Sequence, residues 1–176
     1  MIKEYLSENT ISEIMQAIKV AHGGKEVVWI DMDGVVADFV PKAKEAAAKM
    51  GISFEDFAKQ KKYRDISGFY LDLPLIDGAK EAIEELQNSD KYDLYFLSAP
   101  SWGNVSCFSD KRIWIEQHFP SFRKKMSLSF QKGHHLGHYL IDDRTKYGAG
   151  NFIGEHIQFG NEIYPNWDSV LKKMLL

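Results

Sequence analysis

The hydrophobic positions of this chain fall into two kinds of run, and their alternation is the first guide to its fold. Ile11, Ile14, Met15 and Ile18 recur at helical spacing, and Thr10 and Glu13 have the separation of a capping box. A helix is therefore predicted over 10–21, with Gly23-Gly24 as its stop. Val27-Val28-Trp29-Ile30 is short, continuous and apolar, which fits a buried strand, and it gives way at once to Asp31-Met32-Asp33-Gly34. A helix is predicted over 41–50, where Pro41 suits a first helical position, alanines follow and Gly51 ends the run. Ser53 and Asp56 signal another start, leading into Phe57 and the basic stretch Lys59 to Arg64. Residues 79–87 place Ala79, Ala82, Ile83 and Leu86 on one helical face, and Tyr92 to Leu97 reads as a second strand. A helix over 109–118 ends before Pro120, and 126–130 and 138–141 are short strands, the latter running into Asp142-Asp143.

Apolar strands separated by helices predict crossover units, hence an α/β fold with a parallel sheet and helices on both faces. The interval 39–77 reads as a helical insertion between the first two strands. Three strand ends carry polar residues: Asp31 and Asp33, Ser98, and Asp142 with Asp143. The carboxyl ends of parallel strands form the ligand-binding edge of such a sheet, so these distant residues are expected to converge there. No internal repeat or low-complexity segment interrupts the pattern.

Composition narrows the function classes. At 176 residues the chain makes one globular unit with room for a small insertion. Its 22 basic and 25 acidic residues give a net charge of −3, which does not favour nucleic-acid or anionic-membrane binding, so an anionic ligand must be held locally. The single cysteine, Cys107, makes no intrachain disulfide. The N-terminus lacks the pattern of a secretory leader, and no apolar run approaches the roughly 20 residues of a membrane helix. A soluble, cytoplasmic protein is expected.

Asp31 and Asp33, directly after a strand and followed by a turn glycine, can bind a hard cation or divide the work of nucleophile and proton donor. A solvated turn is the plain alternative. A calcium loop fits poorly, because Val35 and Ala37 stand where it needs oxygen ligands. The later series changes the weight: Ser98 in LSAP, Lys132 in a polar segment, and Asp142-Asp143 in LIDD. With DMDGVVADF (Asp31 to Phe39) ahead of them, these residues resemble the four ordered motifs of the haloacid dehalogenase superfamily of phosphatases, over about residues 25–160. Asp38 and Phe39, Ser-x-Pro after the second strand, WIEQHFP and LIDDR are similar to the 5'(3')-deoxyribonucleotidases within it.

That resemblance implies a Rossmann-like core (25–38 and 78–176), a small helical cap (39–77) inserted after the first strand, and an N-terminal helical extension (1–24). It also implies a Mg²⁺-dependent phosphatase in which Asp31 forms an aspartyl-phosphate. Asp33 protonates the departing oxygen and later takes a proton from water, and nearby carboxylates are expected to keep it protonated at the start. Ser98, Ala99, Lys132 and Phe39 are the implied substrate contacts. Asp31, Asp33, Asp142 and Asp143 form the metal end, with Asp143 favoured over Asp142 as the direct ligand and a main-chain carbonyl at Asp33 as another. The implied substrate is a small phosphomonoester, most specifically a deoxyribonucleoside monophosphate, with no stable nucleic-acid complex and no membrane; a homodimer is left open. Alternatives are the same chemistry on a sugar phosphate or a nucleic-acid end, and a non-catalytic phosphate-binding module.

Other features have plainer readings. Phe54, Phe57, Tyr63, Phe69 and Tyr70 read as packing between helices, and Lys59, Lys61, Lys62 and Arg64 as a solvated face. His134 and His138 have helical zinc-ligand spacing, yet Gly133 and Gly137 weaken a helix there, so a polar loop is predicted. Cys107 reads as a packed thiol. Trp102, Trp114 and Trp167 read as packing residues, with Trp102 close enough to Ser98 in sequence to border the site.

Overall fold

The computed structural model describes residues 2–176; Met1, the first residue of the expected 1–24 extension, lies outside them. Five strands form one sheet: β1 (Glu26–Ile30), β2 (Tyr92–Ser98), β3 (Met126–Leu128), β4 (Tyr139–Asp142) and β5 (Glu155–Gln158). Their order is β3-β2-β1-β4-β5, and every neighbouring pair is parallel. β1 is central because Val27, Val28 and Ile30 are apolar enough to be buried on both sides, and Val28 pairs with both Leu94 and Tyr139. The chain leaves β1 toward β2 on one side and returns to β4 on the other, so the strand order reverses at β1. A crevice opens at the carboxyl end of such a switch point.

Six α-helices flank the sheet: α1 (Glu8–Ala21), α2 (Phe39–Lys49), α3 (Phe54–Lys59), α4 (Ala79–Asn88), α5 (Cys107–His118) and α6 (Trp167–Leu175). The two faces differ. The large core joins Val28, Ile30, Leu94 and Phe96 to the buried faces of α4, α5 and α6, including Ile83, Trp114 and Trp167. The opposite face holds a small cluster of Leu97, Leu140, Ala149 and Phe152 against Trp29. α1 lies against β1 with no fully buried residue, tied by Lys19 to Glu26 at 2.9 Å and by His22 to Asp93 at 2.7 Å.

Helix starts depart from expectation in a consistent way. Ser7, not Thr10, caps α1, accepting the Thr10 N–H, and the Thr10 hydroxyl is turned back to Ser7. Asp38 caps α2 by accepting from Val40 N, so Pro41 is the third helical residue and not the first. β3 stops at Leu128, short of the predicted Phe130. β5 and α6 escaped the pattern: β5 is an edge strand with only Ile157 fully buried, and α6 declares itself through the Asn166–Ser169 capping box. Within the segment between β1 and α4, Asp38 N–H donates to Pro74 O and Ile76 N–H to Val36 O, which holds its two ends side by side.

Candidate active site

The site begins with backbone geometry. The Asp31 N–H donates to Ile141 O at 2.8 Å, extending the β1–β4 pairing by one residue and setting Asp31 beside the end of β4. The chain then turns sharply, with Met32 O accepting from both Val36 N and Ala37 N at 2.9 Å. Gly34 is required twice over: its φ is +81°, and a Cβ there would meet Asp143 Oδ2 at 2.6 Å.

Asp31, Asp142 and Asp143 each present a carboxylate oxygen, and the three oxygens lie within 4.8 Å of one another. Lys132, carried by a short 3₁₀ turn, is 2% exposed and places its Nζ 2.9 Å from Asp31 Oδ2 and 2.5 Å from Asp142 Oδ2. Burial works against the ammonium, but Asp31 and Asp142 outweigh it and hold the Lys132 pKa above its usual value. Burial, reinforced by the Asp31 charge, pushes the Asp142 carboxyl upward against the pull of Lys132. Burial also raises Asp143, with the Arg144 guanidinium opposing it from 3.1 Å.

A count of partners separates the acidic groups. Asp142 is engaged on both oxygens, by Arg144 N and by Lys132. Asp31 Oδ1 is buried with no hydrogen-bond partner. An unpartnered buried carboxylate oxygen is costly unless something else meets it, and an all-oxygen donor set suits a hard divalent cation. The residues therefore fit such an ion. Asp33 stands apart from the trio: its Oδ2 is 2.7 Å from the Nζ of Lys111, and its Oδ1 is buried without a partner. Its nearest charged neighbour is thus an ammonium, where the sequence led us to expect carboxylates.

Ser98, at the end of β2 and 1% exposed, accepts from the same Lys111 at 3.0 Å. Ala99 follows it, half-buried, and lines both the small pocket over the carboxylates and the adjoining cleft of about 670 Å³. Phe39, Tyr63 and Arg64 line that cleft. So do Trp102, Phe130 and Tyr147, whose ring centroids are 5.7 and 6.1 Å apart along the row. Trp102 is 79% exposed, so it is not a packing residue; Trp114 and Trp167 are buried. Arg64 lines the cleft, although the sequence placed it on a solvated face with its lysine neighbours. The segment between β1 and α4 is tied to the chain after β2 by Asn104, which donates to Tyr63 O and Ile66 O at 2.8 Å each.

The family model of 5' nucleotidase, deoxy (pyrimidine), cytosolic type C protein matches residues 25–168. The chain belongs to this family. A putative 5'(3')-deoxyribonucleotidase of Vibrio phage KVP40 is 36% identical over 165 residues, covering 93% of both chains. The human cytosolic-type 5'(3')-deoxyribonucleotidase is 28% identical over 172 residues, covering 82% of this chain and 78% of its own. Among solved structures, the putative HAD-hydrolase YfnB from Bacillus subtilis bound to magnesium superposes with a TM-score of 0.53 at 14% identity, covering 81% of this chain and 90% of the other, a likeness of fold. No helix among the described residues is long and apolar enough to cross a membrane.

In this 5'-nucleotidase family member, the structure brings Asp31, Lys132, Asp142 and Asp143 together, and Asp33 and Ser98 around Lys111 beside them. Phe39 lies further up the cleft wall, its ring 5.2 Å from those of Tyr63 and Phe69, while Phe57 and Phe69 are core residues. His138 is spent on the Val27 N–H and His135 packs edge-on against Trp29. The Cys107 thiol accepts from Ser101 N and burial raises its pKa. Lys111 is the residue that sequence reasoning missed. A partial signal was present: Cys107, Trp114 and Ile115 are apolar positions of the buried face of α5, and Lys111 falls among them, next to the likewise buried Asp110, so a cation occupies a core position of that helix.

Proposed function

We propose that the protein is a Mg²⁺-dependent phosphatase of deoxyribonucleoside 5'(3')-monophosphates, working through an aspartyl-phosphate on Asp31. The observation that carries this reading is the buried, unpartnered oxygen of Asp31 beside the Lys132 ammonium, at the foot of an aromatic-walled cleft. Family membership supports it, since its relatives bear that activity in their names. Asp31 and Asp143, with Asp142 alongside and the main-chain carbonyl of Asp33, would hold the ion, which when bound would neutralise phosphoryl charge.

The chain's own groups account for the remaining steps. Lys132 has three N–H donors and two carboxylate acceptors, leaving one N–H for a phosphoryl oxygen. Ser98 and the main-chain N–H of Ala99 supply further donors. The Asp31 carboxylate attacks phosphorus in line; the ester P–O bond breaks, and its electron pair leaves with the nucleoside oxygen, which takes a proton from Asp33. Lys111 occupies Asp33 Oδ2, so the transferred proton is carried on Oδ1. The ionised Asp33 then takes a proton from water as the water oxygen attacks phosphorus, freeing inorganic phosphate and restoring Asp31. Residues 39–77 act as the cap over this core, and Phe39 with Tyr63 meets the base. The cytosolic type of the family supports a cytoplasmic location.

The test is a phosphomonoester panel with and without Mg²⁺: deoxynucleoside 5'- and 3'-monophosphates, sugar phosphates and phosphorylated oligonucleotide ends. Deoxynucleotides are expected to react fastest and chelation to stop turnover. Faster hydrolysis of sugar phosphates would overturn the substrate assignment. Binding of nucleotides with no Mg²⁺-stimulated turnover would point to the phosphate-binding module.

A further inference from the structure

Lys111 is fully buried, at a helix position where an apolar side chain would pack without desolvating a charge. Its Nζ is 2.7 Å from Asp33 Oδ2, 3.0 Å from Ser98 Oγ and 3.8 Å from the thioether sulfur of Met32, and it sits 5.1 Å from the centroid of the Tyr70 ring. An ammonium has three N–H groups, and these three acceptors take all of them. Lys111 therefore has no donor left for a ligand, in contrast to Lys132. The two oxygen acceptors among them, on Asp33 and Ser98, are those that must be aimed. With Asp33 Oδ2 tethered, Oδ1 is left buried and without a partner in a residue that lines the cleft. Because Ser98 Oγ accepts from Lys111, its own O–H is turned away from that contact, and among the described residues no protein acceptor takes it.

We infer that Lys111 is a positioning residue: one buried ammonium sets, together, the proton-transferring oxygen of Asp33 and the hydroxyl of Ser98, and never touches the substrate. This rests on the phosphatase reading above. The proton that Asp33 gives to the leaving oxygen matters most when that oxygen is a poor leaving group, as the alkoxide of a nucleoside is, and little when it is a phenolate stable without protonation. A residue that merely held the fold would affect both ester types alike.

The experiment compares the Mg²⁺-loaded wild type with Lys111→Met and Lys111→Gln, measuring kcat/KM on thymidine 5'-monophosphate and on p-nitrophenyl phosphate, together with thermal melts. This ratio reports the steps through departure of the alcohol, before the acyl-phosphate is hydrolysed. For Lys111→Met the expected loss is about 100-fold or more on the nucleotide and less than about 10-fold on the aryl ester, with a cooperative melt retained. Lys111→Gln, whose amide can still donate to Asp33, is expected to recover part of the nucleotide rate. A loss on the nucleotide less than tenfold greater than that on the aryl ester overturns the inference. If Lys111→Met fails to fold, the same criterion applies to Lys111→Gln. Wild-type protein inactive on both esters would sink the phosphatase reading instead, so the two failures are distinguishable.

Discussion

Two polar clusters, the carboxylates at the carboxyl edge of the sheet and the lone Asp93 with its donors beside the end of α1, show how the same residue type is used to opposite ends. Asp93, on the thinly covered face, is saturated: Oδ1 takes Lys125 at 2.6 Å, and Oδ2 takes His22 at 2.7 Å and the Tyr95 hydroxyl at 2.8 Å. Burial would raise its pKa, but the hydrogen bonds from Lys125, His22 and Tyr95 together overcome this and lower it. Asp31 and Asp33 are each left with a buried oxygen that has no hydrogen-bond partner among the described residues. A saturated carboxylate stabilises the structure it sits in, whereas residual acceptor capacity inside a protein has a cost, which a ligand or a reaction relieves.

The sharpest way to break this contrast is Asp31→Asn. Turnover is expected to fall by about 10⁴-fold or more, as for other nucleophile losses, while the melting temperature of the metal-free protein does not drop. A drop of several degrees would make Asp31 structural, like Asp93. Next is Lys132→Met, expected to lower kcat by about 10²- to 10³-fold through loss of a donor to developing charge; unchanged kcat would remove Lys132 from the phosphate site. Divalent-ion binding gives a third measure. At a concentration 100 times its Kd, Mg²⁺ should stabilise the wild type by about 2.7 kcal/mol in a thermal melt, and Asp143→Asn should abolish most of that gain.

The smallest effect tests the other cluster. Asp93→Asn should leave turnover within about twofold of wild type and cost about 1 kcal/mol of stability in urea, through weakened charged hydrogen bonds. Its pH signature follows from the lowered pKa of Asp93 in the folded protein. The stabilisation is present above the ordinary aspartate pKa of about 3.9 and is lost as pH falls through the lower folded value, so the variant and wild type should converge in stability under acid. A gap that persists there would mean the Asp93 contacts act by shape and not by charge.

Much of the frame was legible in the order of residues. The buried face of α4 is Ala79, Ala82, Ile83 and Leu86, as its spacing predicts, and β1, β2 and β4 lie where short apolar runs stop at polar residues. β5 was not legible, because an edge strand with one buried side chain has no periodicity strong enough to read. Trp102 was read first as a packing residue and, from its closeness to Ser98 in sequence, as one that could border the site; it is exposed and lines the cleft, so the second reading holds.

Periodicity and strand-end polarity were enough to indicate the fold class and to gather Asp31, Ser98, Asp142 and Asp143 at one edge, because parallel strands share a direction whatever else surrounds them, while Lys132 was added by the family resemblance. Which oxygens stay unpartnered, and which lysine serves which carboxylate, was decided only in three dimensions. Lys111 and Asp33 are 78 residues apart, and their meeting depends on how α5 docks on the sheet, a property of packing that no local pattern encodes.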